Sequence, residues 1–276
     1  MRALRFWMLA PTRALMGGLF LAPLLIIAAY SFLTRGTYGG QGAPWTVENY
    51  TRLADSLYTV ILARSFWIAG LSTLFCLLLA FPLALFIAQS GRRKNLYLHL
   101  VMLPFWTSFL VRTYAWMFLL RDTGLVNTVL QWTGVISEPL PLLYNEAAVV
   151  LGLVYGYLPF MVLPIFSVLD RLDKALLEAA SDLGATPWKS VWLVTIPLSM
   201  PGIVGGCVLV FIPCLGAYLT PDLLGGGKSI MIGNLVQSQF TSARDWPFGS
   251  AISLVLMALV MLVMWVLQRR QKEDLL

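Results

Sequence analysis

Six uninterrupted apolar runs decide what this chain can fold into. A bilayer core of about 30 Å takes about 20 residues of helix at 1.5 Å per residue. The runs at 14–33, 65–88, 96–120, 147–169, 200–221 and 248–267 meet that length. Only 96–120 carries a charged residue, Arg112, and it also holds the one histidine, His99. In lipid every backbone N–H and C=O must be bonded within its own segment, so such runs read as helices. A membrane barrel would show ten-residue alternating strands instead. The expected fold is an all-α polytopic membrane protein with six crossings, forming one transmembrane domain over residues 1–276.

Composition agrees. Of the 276 residues 59% are hydrophobic and 12% charged, about half the charged share of a soluble domain. A soluble enzyme could not hide this much apolar surface, and disorder needs the opposite balance. Arg2, Arg5 and Arg13 precede the first run as they would in a signal peptide. That run is too long and is followed by five more, so an uncleaved helix is expected. Twelve of the nineteen Lys and Arg residues fall on one side of the membrane: Arg2, Arg5, Arg13, Arg92, Arg93, Lys94, Arg171, Lys174, Lys189, Arg269, Arg270 and Lys272. Basic loops stay cytoplasmic, so both termini are expected inside. The net charge of +6 then reflects topology and not a nucleic-acid footprint.

Several local patterns are read as packing or as decoys. Cys76, Cys207 and Cys214 lie in apolar runs and read as small buried side chains, not a disulfide framework. A single histidine gives no basis for a zinc or haem site. Pro82, Pro104, Pro159, Pro164 and Pro213 permit kinks. Gly152 with Gly156, and Gly202 with Gly206, allow close helix approach, either within the chain or against a partner subunit. Gly225-Gly-Gly-Lys-Ser229 looks like the end of a phosphate-binding loop. Asp222 stands where the first glycine should be, and no strand precedes it, so that reading is rejected. Asn49-Tyr-Thr51 is a glycosylation sequon by pattern only.

The longest internal segment, 170–199, is expected to hold two short helices. The first is placed at about 172–183, with Leu172, Leu176 and Leu183 as an apolar stripe and Lys174, Glu178 and Asp182 at i,i+4 on another face. Gly184 suits a left-handed C′ position. Thr186 suits the N-cap and Pro187 the N1 position of a second helix, with Ile196-Pro197 expected to stop it. Spacing alone allows two readings, a rigid handle for another protein or an amphipathic connector on the bilayer.

This stretch resembles the EAA loop of ABC-importer membrane subunits. That pattern runs Glu-Ala-Ala, three residues, Gly, nine residues, Ile, one residue, Leu-Pro. Here it reads Glu178-Ala179-Ala180, Gly184, Val194, Ile196 and Pro197, with two conservative departures. The stretches 49–53, 103–116, 223–233 and 244–248 are similar to the spermidine/putrescine importer permeases. The resemblance implies a type I importer permease fold in a bacterial inner membrane. It also implies partners: a second, homologous permease, two copies of a cytoplasmic ATP-binding subunit and an extracytoplasmic binding protein. Glu178, Ala179, Ala180, Asp182 and Gly184 would then transmit ATPase closure. No cofactor is expected on this chain, and ATP with Mg²⁺ would sit on the partner ATPase.

A polyamine path calls for carboxylates or aromatic faces, since a cation over a ring gains about 0.5–2 kcal/mol. Phe105 and Trp106 fall near mid-membrane in the third span, and Tyr155 and Tyr157 in the fourth. They line a central cavity, or are core or lipid-facing aromatics. Asp122, Glu138, Glu146, Asp222 and Asp245 ring the outer ends, with Tyr218 and Asp222 closing the fifth span as a candidate outer gate or as ordinary interfacial groups. Arg112 would repel a cation, so it is expected to pair with Asp122 or Glu146 and hold helices together. A gradient-driven transporter, the alternative, would want acids or broken half-helices at the midplane, and no Asp or Glu lies between the span ends. An intramembrane enzyme would want a nucleophile elbow, and no G-x-S-x-G occurs.

Overall fold

The computed structural model describes residues 2–273. Its elements are α1 Arg2–Ser31, β1 Leu33–Arg35, β2 Gln41–Trp45, α2 Glu48–Leu53, α3 Ser56–Gln89, α4 Lys94–Met102, α5 Phe109–Leu120, α6 Leu125–Trp132, α7 Glu146–Leu169, α8 Lys174–Asp182, α9 Pro187–Ser190, α10 Ile196–Leu215, α11 Leu219–Gly225, α12 Ile232–Phe240 and α13 Trp246–Glu273. Five helical stretches are long and apolar enough to cross a membrane: Ala10–Ser31, Ser56–Gln89, Glu146–Leu169, Pro187–Leu215 and Trp246–Trp265. The chain is an all-α polytopic membrane protein with one small hairpin, β1–β2, that the periodicity did not announce.

Two expected spans differ in form. The run 96–120 is not one helix but α4 and α5, separated by a 3₁₀ turn at Leu103–Trp106. The fifth span ends at Leu215, not 221, and α11 is a separate short helix. At its other end the second short helix is not stopped by Ile196-Pro197. A π turn over Val191–Thr195 joins α9 to α10 without a break. There the Ile196 N–H donates to the Val191 carbonyl, five residues back, and Thr195 Oγ1 donates to Ser190 O at 3.4 Å. The wider turn shifts the bonding register ahead of Pro197, so its missing N–H does not end the helix.

By internal packing the chain forms two units, the residues to Val60 with those from Leu235 on, and Ile61–Asn234. In the first unit α1 packs on α13, and Tyr30 stacks on Trp246 with ring centroids 6.4 Å apart. The stretches 49–53 and 244–248 meet there. Arg52 Nη1 donates to Asp245 Oδ2 at 3.2 Å, and its guanidinium lies 4.1 Å over the Phe248 ring. Asp245, only 4% exposed, also accepts from the Phe248 N–H at the start of α13. Asn49 is no glycosylation acceptor in this conformation. It is buried, with Nδ2 donating to Ser31 O at 2.9 Å and Leu33 O at 2.8 Å.

In the second unit α7 and α10 form the core pair. The four glycines of the small-residue patterns serve packing within this chain. A Cβ on Gly202 would stand 2.8 Å from Pro164 O and 3.0 Å from Val168 Cγ2, and one on Gly206 2.7 Å from Met161 Sδ. A Cβ on Gly152 would meet Leu224 and Thr220 side chains at 2.5 and 2.7 Å. Ion pairs fasten the flanking elements. Arg64 Nε donates to Glu146 Oε1 at 2.6 Å, and Lys94 Nζ lies 2.8 Å from Asp170. Asn127 exchanges two 2.9 Å bonds with the Leu140 backbone and so pins the loop before α7. Asn145 caps α7 by accepting from the Ala148 N–H.

The α7–α10 contact yields a stability prediction. Gly202→Val must push against the Pro164 carbonyl, a backbone atom that cannot rotate away, and should lose about 1–3 kcal/mol. Gly205→Ala, whose Cβ would find nothing nearer than 4.0 Å, should be neutral or slightly stabilising. Thermal melting of the two variants in detergent compares them directly.

Candidate functional site

The interruption in the 96–120 run begins at Pro104, which lacks an N–H to continue the ladder. Thr107 and Ser108 then take extended backbone, with ψ of 152° and 135°, and Thr107 Oγ1 donates to the Pro104 carbonyl at 2.7 Å. The break presents the following rings to α7. Phe105 meets Phe160 edge-on at 5.1 Å, Phe109 lies 6.3 Å from Tyr157, and Tyr157 lies 6.2 Å from Phe160. Gly156 makes room for this, since a Cβ there would stand 3.0 Å from Phe109 Cε2. Phe109, Tyr157 and Tyr218 line a cavity of about 220 Å³ with Pro213, Gly216, Ala217 and Leu219.

The structure therefore gathers Phe105, Tyr157 and Tyr218 and separates two expected members of the set. Trp106 is 81% exposed. Tyr155 packs edge-on against Trp116 at 5.5 Å, away from the cluster. Residues two apart on a helix point about 200° apart, so Tyr155 and Tyr157 cannot face one cavity. Phe109 and Phe160 were missed. Their signal was present: Phe105, Phe109 and Arg112 follow i, i+4, i+7, and Tyr157 and Phe160 are i,i+3 neighbours.

Arg112 does not pair with an outer acid. Glu146 is taken by Arg64, and Asp122 is exposed beyond the end of α5. Arg112 is buried, with its guanidinium 5.1 Å over the Phe105 ring and 5.6 Å over Phe109. Its Nε has no hydrogen-bond partner. The outer acids also divide. Glu146 and Asp245 are engaged in ion pairs, while Asp122, Glu138 and Asp222 are exposed. Tyr218 sits at the break before α11, its carbonyl accepting from Asn234 Nδ2 at 2.7 Å and from the Asp222 N–H at 3.0 Å. Gly225–Ser229 follows a helix, not a strand. Gly226 and Gly227 take φ of 56° and 76° to end α11.

The second candidate site is the elbow after α7. Asp173 starts α8 by accepting from the Ala175 N–H at 3.0 Å. The helix is shorter than expected, so Leu172 and Leu183 flank it, and the Lys174 side chain lies outside the described residues. Its end is a Schellman turn. The Gly184 N–H donates to Ser181 O at 2.9 Å and the Ala185 N–H to Ala180 O at 3.0 Å, with Gly184 at φ 81°. Thr186 then caps α9 by accepting from the Lys189 N–H at 3.4 Å. The capped elbow leaves the expected coupling residues largely uncovered by this chain. Glu178, Ala179 and Asp182 are exposed and Ala180 is half-buried. Leu183, Trp188 and Leu193 are 89%, 71% and 72% exposed.

A model of binding-protein-dependent transport system inner membrane components matches residues 77–273. The spermidine/putrescine transport system permease protein PotB of Haemophilus influenzae is 43% identical over 253 residues, covering 91% of this chain and 88% of that protein. The PotB of Escherichia coli K12 is 44% identical over 247 residues, covering 88% and 90%. The inner membrane ABC transporter permease protein YdcU of the same organism is 33% identical over 276 residues, covering 94% and 87%. Among solved structures, a bacterial ABC transporter involved in the import of the acidic polysaccharide alginate superposes with a TM-score of 0.73 at 19% identity, over 96% of this chain and 95% of that one. An inward-facing methionine ABC transporter superposes with a TM-score of 0.58 at 18% identity, over 79% and 98%. The chain belongs to the family of binding-protein-dependent transport system inner membrane components, and it is a multi-pass permease subunit of the inner membrane.

Proposed function

We propose that this permease forms half of the translocation path for polyamines, spermidine or putrescine, in an ATP-driven importer. The observation that carries the reading is the elbow, a doubly capped turn whose Glu178-Ala179-Ala180 helix and aromatic flank are bare in a chain of this family. The substrate class is supported by the 43–44% identity to permeases named for spermidine and putrescine. It is supported as well by the ring cluster of Phe105, Phe109 and Tyr157, which offers faces to ammonium groups.

In this reading the chain crosses the membrane six times with both termini in the cytoplasm, and α4 and α5 together make the third crossing. A second, homologous permease supplies the other half of the path. Two copies of a cytoplasmic subunit bind ATP and Mg²⁺ and carry the hydrolysis, so the permease has no nucleotide site of its own. Each ATPase seats against an elbow. Glu178 and Asp182 meet basic donors there, and small Ala179 and Ala180 allow close approach. A loaded binding protein docks outside, nucleotide closure draws the elbows together, and the bundles rock to admit substrate. Tyr218 and the exposed Asp222 receive the cation at the outer end, and Phe105 and Tyr157 line the path below. Trp106 is exposed and Tyr155 packs on Trp116, so neither joins this chain's ring cluster.

Two measurements test this. The elbow depends on a residue at positive φ, and the space around Gly184 is open, so a side chain there fails by strain and not by collision. Gly184→Val should cost about 1–2 kcal/mol locally and uncouple the machine, cutting ATP-driven uptake in proteoliposomes at least several-fold. Uptake at the normal rate would break the assignment. In the assembled complex with its binding protein, labelled putrescine uptake should require ATP and be competed by unlabelled spermidine. Uptake that persists without ATP would point to a gradient-driven carrier.

A further inference from the structure

The unit 61–234 contains a buried charge that its own carboxylates leave alone. Arg112 is 8% exposed, its Nε lacks any hydrogen-bond partner, and none of the ion pairs among the described residues includes it. It stands in the first turn of α5, where the helix dipole already disfavours a cation. Removing a guanidinium from water is costly unless something replaces the lost solvation. What faces it is aromatic: Phe105 at 5.1 Å and Phe109 at 5.6 Å from the guanidinium carbon. Phe109 is at the same time a wall of the 220 Å³ cavity that Tyr157 and Tyr218 share. A seat suited to a cation therefore borders the cavity, and a cation belonging to the chain occupies it.

We propose that Arg112 is a tethered stand-in for substrate: its guanidinium fills the Phe105–Phe109 seat when the path is empty, and an ammonium group of a polyamine enters by displacing it. The inference rests on the polyamine reading above. It gives the charge a role in selection. A polyamine brings several ammonium groups, so one can compete for the seat while others hold elsewhere, which raises its effective concentration there. A monovalent cation has no second hold and meets a like charge. The empty path is thus closed to small cations by its own arginine.

The test uses the whole complex in detergent, without binding protein or nucleotide, and equilibrium dialysis with labelled spermidine. Arg112→Met, which removes the charge, keeps an unbranched chain and withdraws the guanidinium from the rings, should bind spermidine about 2- to 30-fold more tightly, the range of a single cation–ring contact. Arg112→Lys should stay near the unaltered complex. Adding Phe109→Leu to Arg112→Met should abolish the gain. Binding no tighter in Arg112→Met overturns the proposal. So does a gain that survives in the double variant, which would reflect general electrostatics. Loss of assembly in Arg112→Met with normal assembly in Arg112→Lys overturns it too, in favour of a helix-pairing charge. Should neither variant assemble, Phe109→Leu alone decides: weakened spermidine binding supports the shared seat and unchanged binding ends it. If the unaltered complex, with binding protein and ATP, imports no spermidine or putrescine, the polyamine reading itself falls. If it imports them and Arg112→Met binds no tighter, only the tethered cation falls.

Discussion

Backbone hydrogen bonding in a solvent that offers none is the constraint on which this structure rests. Lipid supplies neither donors nor acceptors, so spans are helical, and irregular backbone at membrane depth survives only where protein encloses it or a cavity runs beside it. The chain spends that freedom at two places in the unit 61–234: the Leu103–Ser108 interruption and the break between α10 and α11. Both contribute to the same cavity wall, through Phe109 on one side and Gly216 to Leu219 on the other. The breaks and the cavity are one feature, because each makes the other tolerable.

The elbow obeys a different economy. Its first helix precedes the span that begins at Pro187, and its ends are capped: Asp173 before α8, the Schellman turn at Gly184, Thr186 before α9. The π turn at Val191–Thr195 then runs it into α10 without a flexible joint. From Pro187 the helical path is continuous to Leu215 at the cavity end, and α8 joins it through the capped turn at Gly184.

Charge placement separates support from chemistry. Arg64 with Glu146, Lys94 with Asp170 and Arg52 with Asp245 tie elements whose spans are otherwise featureless to one another. Two of these acids would have served on sequence grounds as a funnel for a cation, and their engagement leaves Asp222 as the exposed acid beside the cavity end. Arg112, buried in α5 and outside every ion pair among the described residues, is held by rings instead.

Hydrophobic run length determined the membrane class and the helical fold by itself, because the cost of unbonded backbone in lipid admits no other solution. The caps at Asp173, Gly184 and Thr186 were legible for a related reason: a helix end is a local problem solved by residues a few positions away. What only the tertiary structure decided was partnership at a distance. Whether Gly202 and Gly206 faced this chain or another, which of Tyr155 and Tyr157 met the cavity, and whether Glu146 was free or bound to Arg64 depend on residues as much as 82 positions apart in sequence. Sequence spacing carries no information about such encounters. Pro104 stands between the two cases. Its missing donor was plain in the sequence, but spacing did not distinguish it from Pro82, Pro159 and Pro213, which lie within helices; only the packed bundle separates a proline that interrupts a span from one that a span absorbs.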